Sequence, residues 1–571
     1  MRLFNFTAER CQNCNKCVRE CPVKAIRFRN NRAEIDEKKC IACGQCFTTC
    51  PRYARNMEND VELVGRMLAS PRRVVACIDS AYLGSFKVPG QYVAALRRLG
   101  FDSVEEVAVA GEEVSEEYVK YIQEHVGEQK YFMSSTCPSI YLFIQKYHPT
   151  LVKYLLPVVT PMIALGKAIK KEDPTTFTVY IGPCMSKKYE TLPKTDAAPI
   201  NAHITCQEIV RLFRRKMIDL ESLEPEVPDR VAKNVGTSYS ISGDMWPKIT
   251  DLMHQNDYDV LKVNGLNNVK KLFESMENEN LGPCYIGISA CEESCINGPF
   301  IPLQSLDLFC RRQRITQFAV HGWGVEGNYP PIDWSDIDLS RTFEPIAVPR
   351  KKASMAELEE ILHKMGRMTR ADEHDCGACG YNTCREKAQA VYEGMADIEM
   401  CWPNLRKRAE RKGDTIFYNA RNIIVMLDGT TRITQINPVA ERYFGVKNED
   451  VVGQPVTALH LASDDYAYAL ATKKDIMARK MHLDKYGLDV MCNIVYIEGD
   501  ELYVSMQDIT AEVKRQKELV QLKKHTVEVA QNVIEKQMRV AQEIASLLGE
   551  TTAETKVALN KLKDVMLKEG E

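Results

Sequence analysis

At 571 residues the chain is long enough for about four domains of ordinary size. Apolar residues make up 45% and charged residues 27%, and a formal net charge of -3 gives no electrostatic reason to expect nucleic acid or an anionic membrane as a partner. The opening residues, MRLFNFTAERC, hold no apolar run, and no stretch approaches the roughly 20 apolar residues of a membrane span, so a cytoplasmic protein is expected.

Twenty-one cysteines in a chain of this size, most of them in short metal-type spacings, point to iron-sulfur ligation rather than to the disulfides of a small secreted domain. Cys77, Cys206, Cys284, Cys310 and Cys492 fall outside those spacings and are expected to be buried small apolar residues. Residues 11–22 read CQNCNKCVRECP and residues 40–51 read CIACGQCFTTCP, so the run C-x2-C-x2-C-x3-C-P occurs twice. In the bacterial ferredoxin pattern the fourth cysteine of each run ligates the other cluster. That predicts one 4Fe-4S on Cys11, Cys14, Cys17 and Cys50 and a second on Cys40, Cys43, Cys46 and Cys21. Zinc would favour two cysteine pairs separated by a longer loop, whereas three close thiolates and a remote one suit a cubane. Two such clusters in a domain spanning 1–58 make an electron relay.

From residue 59 to 345 the composition is that of an α/β enzyme. RVVACID at 73–79, TFTVYIGPC at 176–184 and CYIGISAC at 284–291 read as buried parallel strands. Two of them run directly into a cysteine, and the ends of parallel strands are where α/β folds place their sites. The cysteines here are Cys137 in SSTCPSI, Cys184 in GPCMSKKYE, and Cys291 with Cys295 in ACEESCINGP.

These three segments, in this order, resemble the signature segments of FeFe-hydrogenases, and the resemblance takes in YLFIQKYHP and KVNGLNNVKKLFE. It implies that Cys137, Cys184, Cys291 and Cys295 hold the 4Fe-4S half of an H-cluster. It also implies that Cys295 bridges to a diiron subsite with CO and CN ligands and that Lys187 hydrogen-bonds a cyanide. A thiolate can bridge irons through its spare lone pairs, and a buried ammonium offers three donors to an anion. Without the motif, Lys187 would read as a solvated neighbour of Lys188.

The sequence departs from that pattern in places. Catalytic members of the family carry a proton-relaying cysteine immediately before the first ligand, and here the residue is Thr136. A thiol with a pKa near ~8.5 exchanges protons at neutral pH, and an aliphatic hydroxyl is too weak an acid to do so readily. Positioned acid-base groups contribute roughly 10²- to 10⁴-fold, so slow turnover is expected. The family's last ligand pair usually encloses Pro-Gly-Gly, but here it encloses Glu292, Glu293 and Ser294, and Ser289 stands where a methionine usually packs. The two carboxylates are expected to point outward, because an unpaired buried carboxylate is costly. Glu116 and Glu117 offer another proton route, with an exposed helix face as the plainer reading.

Residues 346–412 hold Cys376, Cys379, Cys384 and Cys401 in the pattern C-x2-C-x4-C-x16-C, with REKAQAVYEGMADIEM expected to be helical before the last. The pattern resembles the single-cluster domain of electron-transport subunits, with structural zinc as the alternative. Residues 413–512 open with NIIVMLDGTTRITQINPVAERYFGV, a strand, a turn at Asp428 and Gly429, a strand, and a helix capped near Asn437. With VVGQP and the closing YVSMQDIT this resembles a PAS domain, here with no evident flavin-reactive cysteine or axial histidine. From 513 to 571 the chain is charged and helical. Val513, Val520, Val527, Ile534, Ala541 and Leu548 recur every seven residues, which favours a coiled-coil seam, and Gly549, Thr551 and Glu554 suggest a break and a capped second helix. His525 reads as a surface histidine.

The expected architecture is therefore multidomain α/β and α+β: a ferredoxin-like domain, an H-cluster α/β domain, a small helical 4Fe-4S domain, a PAS domain and a dimerising helical hairpin. The resemblances imply a sensory hydrogenase whose partners are H2 and protons, ferredoxin or another redox protein, a regulatory kinase or phosphatase, maturation proteins and a second copy of the chain. The alternatives are a catalytic subunit exchanging electrons with ferredoxin or a flavin partner, and a redox regulator without hydrogen chemistry.

Overall fold

The computed structural model describes residues 4–29, 32–192, 195–232, 234–242, 247–302, 306–325, 327–346, 348–349, 351–548 and 553–568. They form two compact units, Met1–Asn404 and Leu405–Glu571.

In the first unit the three apolar runs are parallel strands. Val74–Ile78, Phe177–Gly182 and Cys284–Ser289 are buried at every position. One sheet runs Ser103–Glu106, Val74–Ile78, Phe177–Gly182, Ala202–Thr205, and another runs Asp259–Asn264, Cys284–Ser289, Tyr131–Met133, all parallel. Continuous apolar text is what a strand covered on both faces requires. Alternation sends Val75 and Cys77 into one core and Val74, Ala76 and Ile78 into another. Helices Ala108–His125 and Pro161–Glu172 line the first core, and Pro89–Leu99 and Cys206–Arg215 the second.

The dicluster segment pairs Phe4–Phe6 with Arg55–Met57 and Ile26–Arg29 with Arg32–Ile35, both antiparallel. The short helices Lys16–Glu20 and Gln45–Thr48 carry the third cysteine of each run. At Gly44, φ is +80° and an added Cβ would stand 2.7 Å from Pro299 Cγ, so only glycine lets the dicluster segment close on the parallel-sheet domain here. In the segment after residue 346, helices Met355–Lys364 and Cys384–Tyr392 form. The second is shorter than expected. Gly394 turns left-handed at φ +70° and the Met395 N–H returns to the Ala390 carbonyl at 2.8 Å, which ends the helix well before Cys401.

Cys77, Cys206, Cys284 and Cys492 are buried as expected, but Cys310 is exposed. It lies in the first turn of helix Leu308–His321, whose buried positions are Arg311 and Ile315. No helix among the described residues is long and apolar enough to cross a membrane.

The second unit holds a five-stranded antiparallel sheet in the order Ile433–Ile436, Ile423–Leu427, Glu501–Asp508, Leu488–Ile497, Ile476–Leu483. The segment border expected at 412–413 falls inside helix Trp402–Asn419, whose proline, Pro403, lies in the first turn where it interrupts nothing. Helices Thr510–Leu548 and Ala553–Lys568 follow the sheet. Val513, Val527 and Ile534 are half-buried, while Val520, Leu519, Leu522, Val529, Val533 and Val540 are exposed. Gly549 and Thr551 lie outside the described residues, as do the side chains of Leu548 and Glu554.

Asn437 ties the second unit together. Its Oδ1 accepts from Ile424 N at 3.0 Å and caps helix Pro438–Phe444 through Ala440 N at 2.9 Å, while its Nδ2 donates to the Asn422 carbonyl at 2.9 Å. Asn437→Ala strands buried backbone donors and is expected to destabilise this unit by about 2–3 kcal/mol, read as an earlier urea transition of the sheet in the full chain.

Candidate functional site

Strand ends deliver the four thiols of the parallel-sheet domain. Cys184 and Cys291 each stand two residues past a strand, and Cys295 lies in the turn Ser294–Asn297. Pro138 starts helix Pro138–Tyr147 and leaves Cys137 as its extended cap residue after strand Tyr131–Met133. The four converge electrostatically: Cys137 senses Cys184, Cys291 senses Cys184 and Cys137, and Cys295 senses Cys184 and Cys137. Burial pushes the Cys137 thiol up to about 11 and holds those of Cys291 and Cys295 well above their ordinary value, and each is raised further by its neighbouring thiols. Three such thiols become thiolates together only beside a strong positive charge such as iron.

Lys187 is buried in the same place. The charges of Asp79, Cys295 and Cys184 outweigh its burial penalty and hold its ammonium above the ordinary lysine value. Its Nζ has no hydrogen-bond partner among the described residues. The nearest carboxylate oxygen, Asp79 Oδ2, is 3.6 Å away. A thiol quartet with an ammonium whose hydrogens are unclaimed fits an iron-sulfur group carrying anionic ligands. Ser80 and Ser240 are also buried with hydroxyls that find no partner among the described residues. Asp79, Ser80 and Ser240 escaped the sequence reading because no cysteine spacing marks them; the only hint was an aspartate closing an apolar strand.

The altered third segment has a backbone consequence. Glu293 and Ser294 adopt φ of +60° and +64°, the left-handed region in which the usual glycines cost nothing. Two non-glycine residues there store strain of about 1 kcal/mol each. The carboxylates face outward: Glu292 is exposed and Glu293 pairs with Arg312 at 2.9 Å. Ser289 Oγ lies 2.8 Å from Asn264 Oδ1 and 3.1 Å from the Cys291 carbonyl, its one hydrogen shared between them, which braces the loop at Cys291. Thr136 is partly buried between Ser135 and Cys137. Glu116 pairs with Lys248 and Glu117 with Lys120 on the surface of their helix.

The remaining cysteines also gather. Cys21, Cys40, Cys43 and Cys46 line one cavity with Ile26, Ile35 and Ile41, so the fourth cysteine of the first run joins the second run. Burial drives the Cys40 thiol up to about 12. For the first run, Arg55 donates to Cys17 Sγ at 3.1 Å and Ala54 N to Cys50 Sγ at 3.4 Å, while Cys11 contacts Asn13 Oδ1 at 3.4 Å and Cys14 is exposed. Cys376, Cys379, Cys384 and Cys401 line another cavity together with Arg367 and Lys387. Among the described residues no three His, Cys, Asp or Glu side chains close on a single ion-sized point.

These centres adjoin one another. Cys291 senses Cys43, and Ile41, Val23 and Cys43 pack into the same apolar cluster as Ala290. On the other side Tyr381 is within electrostatic reach of both Cys379 and Cys21. Lys24 Nζ donates to the Gly380 carbonyl at 2.9 Å, Phe28 N donates to Met395 O at 2.9 Å, and Lys39 pairs with Glu393 at 2.6 Å. At Gly380, φ is +92° and a Cβ would stand 2.9 Å from Val18. The four-cysteine segment at 376–401 is thus packed on the dicluster segment.

Residues 67–299 match the family model of the iron only hydrogenase large subunit, C-terminal domain. Residues 4–51 match a 4Fe-4S dicluster domain, 373–403 an Fe-S cluster family and 421–511 a PAS domain. The chain is 25% identical to iron hydrogenase 1 of Clostridium pasteurianum over 363 residues, 51% of this chain and 63% of that protein. It is 31% identical over 96 residues to the cytosolic Fe-S cluster assembly factor NAR1 of Eremothecium gossypii, 17% of this chain and 21% of that protein. It therefore spans less than two thirds of either relative. A variant of the FeFe-hydrogenase HydA1 from Chlamydomonas reinhardtii aligns with a TM-score of 0.40 at 18% identity, covering 51% of this chain and 100% of that one.

The cavity around Cys21 makes a specific prediction. Cys21→Ala is expected to remove the cluster signal that Cys43→Ala also removes and to leave the one lost in Cys14→Ala, as read by electron paramagnetic resonance of the reduced, reconstituted protein. Loss of the Cys14 signal instead would reverse the assignment.

Proposed function

We propose that this chain, which carries an iron-only hydrogenase large-subunit domain, iron-sulfur domains and a PAS domain, is a cytoplasmic hydrogen sensor. It binds hydrogen at a cofactor held by Cys137, Cys184, Cys291 and Cys295 and reports redox state toward its PAS segment and terminal helices. One observation carries this reading: a buried ammonium, Lys187, whose hydrogens are unclaimed among the described residues, beside a quartet of half-buried thiols. When bound, a 4Fe-4S cluster joined to a diiron unit with CO and CN ligands supplies the hydrogen chemistry.

The chain's own residues do the rest. The four cysteines would hold such a group through their thiolates, Cys295 serving both of its parts, and Lys187 would offer its hydrogens to an anionic ligand. Thr136, a weak acid in the relay position, slows proton exchange and so favours a bound, informative state over turnover. Three further 4Fe-4S clusters are assigned to Cys11, Cys14, Cys17 and Cys50, to Cys21, Cys40, Cys43 and Cys46, and to Cys376, Cys379, Cys384 and Cys401. The adjacency of Cys43 to Cys291 and of Tyr381 to Cys21 supports a relay in which the cysteines of the second run lie nearest both the hydrogen site and the third centre. The exposed apolar residues of helix Thr510–Leu548 support pairing with a second copy, and the output partner is a regulatory kinase or phosphatase. Ferredoxin or another redox protein exchanges electrons with the clusters, and maturation proteins insert the diiron unit.

The likeness to an Fe-S cluster assembly factor favours one other reading, a redox regulator that keeps the clusters without hydrogen chemistry. Turnover separates the readings. With the diiron cofactor loaded, the unmodified chain is expected to evolve hydrogen slowly, and Thr136→Cys to raise the rate by roughly 10²-fold or more by gas chromatography. Fast evolution by the unmodified chain would point to a catalytic subunit. Absence of hydrogen-dependent cluster reduction in both would point to the regulator.

A further inference from the structure

Asp79 closes strand Val74–Ile78 and is 1% exposed. Its Oδ2 accepts from the Tyr180 hydroxyl at 2.6 Å and from the Tyr239 hydroxyl at 2.6 Å, and its Oδ1 accepts from Ala81 N at 3.1 Å. A carboxylate oxygen has two lone pairs, and the tyrosines occupy both of those on Oδ2. Lys187 Nζ stands 3.6 Å from that oxygen, 5.0 Å over the Tyr180 ring and 5.5 Å over the Tyr239 ring, with no hydrogen-bond partner among the described residues. In ordinary buried pairs the carboxylate takes the ammonium's hydrogens outright. Here charge compensation and hydrogen bonding have been separated. Beyond burial, the charge of Asp79 also raises the Cys295 thiol, and that of Lys187 lowers it.

We propose that Asp79 is a positioning residue of the four-thiol centre: it supplies Lys187 with a counter-charge while Tyr180 and Tyr239 stop it from taking the lysine's hydrogens, which stay directed at an anionic ligand. Tyr239 and Tyr180 are accordingly part of the device. The inference rests on the reading that Cys137, Cys184, Cys291 and Cys295 hold a cofactor with anionic ligands, and it adds three residues that no cysteine spacing reveals.

The arrangement predicts shifts of opposite sign for two changes. Asp79→Asn keeps a hydrogen-bond acceptor for the tyrosines and removes the counter-charge, so the full charge of Lys187 acts on the ligand. Tyr239→Phe keeps the charge and frees a lone pair on Oδ2, which then draws Lys187 away. The full chain is loaded with a synthetic diiron cofactor, and its CO and CN stretching bands and redox titration are followed by infrared spectroscopy. The two variants are expected to move the CN bands in opposite directions. At fixed potential the reduced-to-oxidised ratio should rise on the order of tenfold in Asp79→Asn, the scale of one unit charge acting across several ångströms of protein, and fall in Tyr239→Phe. Bands unchanged in both variants, or moved the same way, overturn the proposal. If Asp79→Asn does not fold, Tyr239→Phe decides alone, since unchanged bands there remove the role assigned to the tyrosine. An unmodified chain that shows no such bands overturns the underlying reading and this proposal with it.

Discussion

Buried charge governs this molecule. Three parallel strands, each covered on both faces, end at one place in the first unit, and what they deliver there is chemically uncomfortable: thiols that burial keeps protonated and an ammonium whose hydrogens are unclaimed. A packed interior does not tolerate such groups without partners. Asp79 neutralises the lysine, and the second-run thiol Cys43 approaches Cys291 from the dicluster segment. This set of donors fits an iron-sulfur group. The surrounding architecture follows from the need to hold these residues still.

The same economy explains the packing of the cysteine segments. Glycine at 44 and at 380 lets backbone approach side chains at distances that any Cβ would forbid, once against Pro299 and once against Val18. The outcome is that the second-run cavity adjoins the four-thiol centre on one side and the segment around Cys379 on the other. Lys24, Lys39 and Lys146 fasten these seams through backbone carbonyls or a partly buried carboxylate, and Lys24 and Lys146 also bring positive charge to bear on Cys21 and Cys40.

Much of this was legible in the residues. Repeated cysteine runs, uninterrupted apolar strands and the alternation around Asp428 and Asn437 are local patterns, and local patterns survive folding. The ferredoxin spacing assigns Cys21 to the second run, and Cys21 lines one cavity with Cys40, Cys43 and Cys46. Other features were not legible. Cys310 looked like any apolar cysteine until its helix turned it outward. The helix after Cys384 had good helix-forming text as far as Met400, and Gly394 ended it early. Asp79 and Tyr239 are separated by 160 residues, and their shared role exists only where the chain folds back on itself. The left-handed backbone at Glu293 and Ser294 is likewise invisible in residue identity, since neither residue prefers it.

The central claim is that four cysteines from three distant segments hold one iron-sulfur group. Mössbauer spectroscopy of the full chain reconstituted with iron-57, compared with its Cys184→Ala variant, tests this most directly. The account predicts that the variant loses about four irons of 4Fe-4S character per chain while the other clusters persist. An identical iron complement in the two proteins would contradict it.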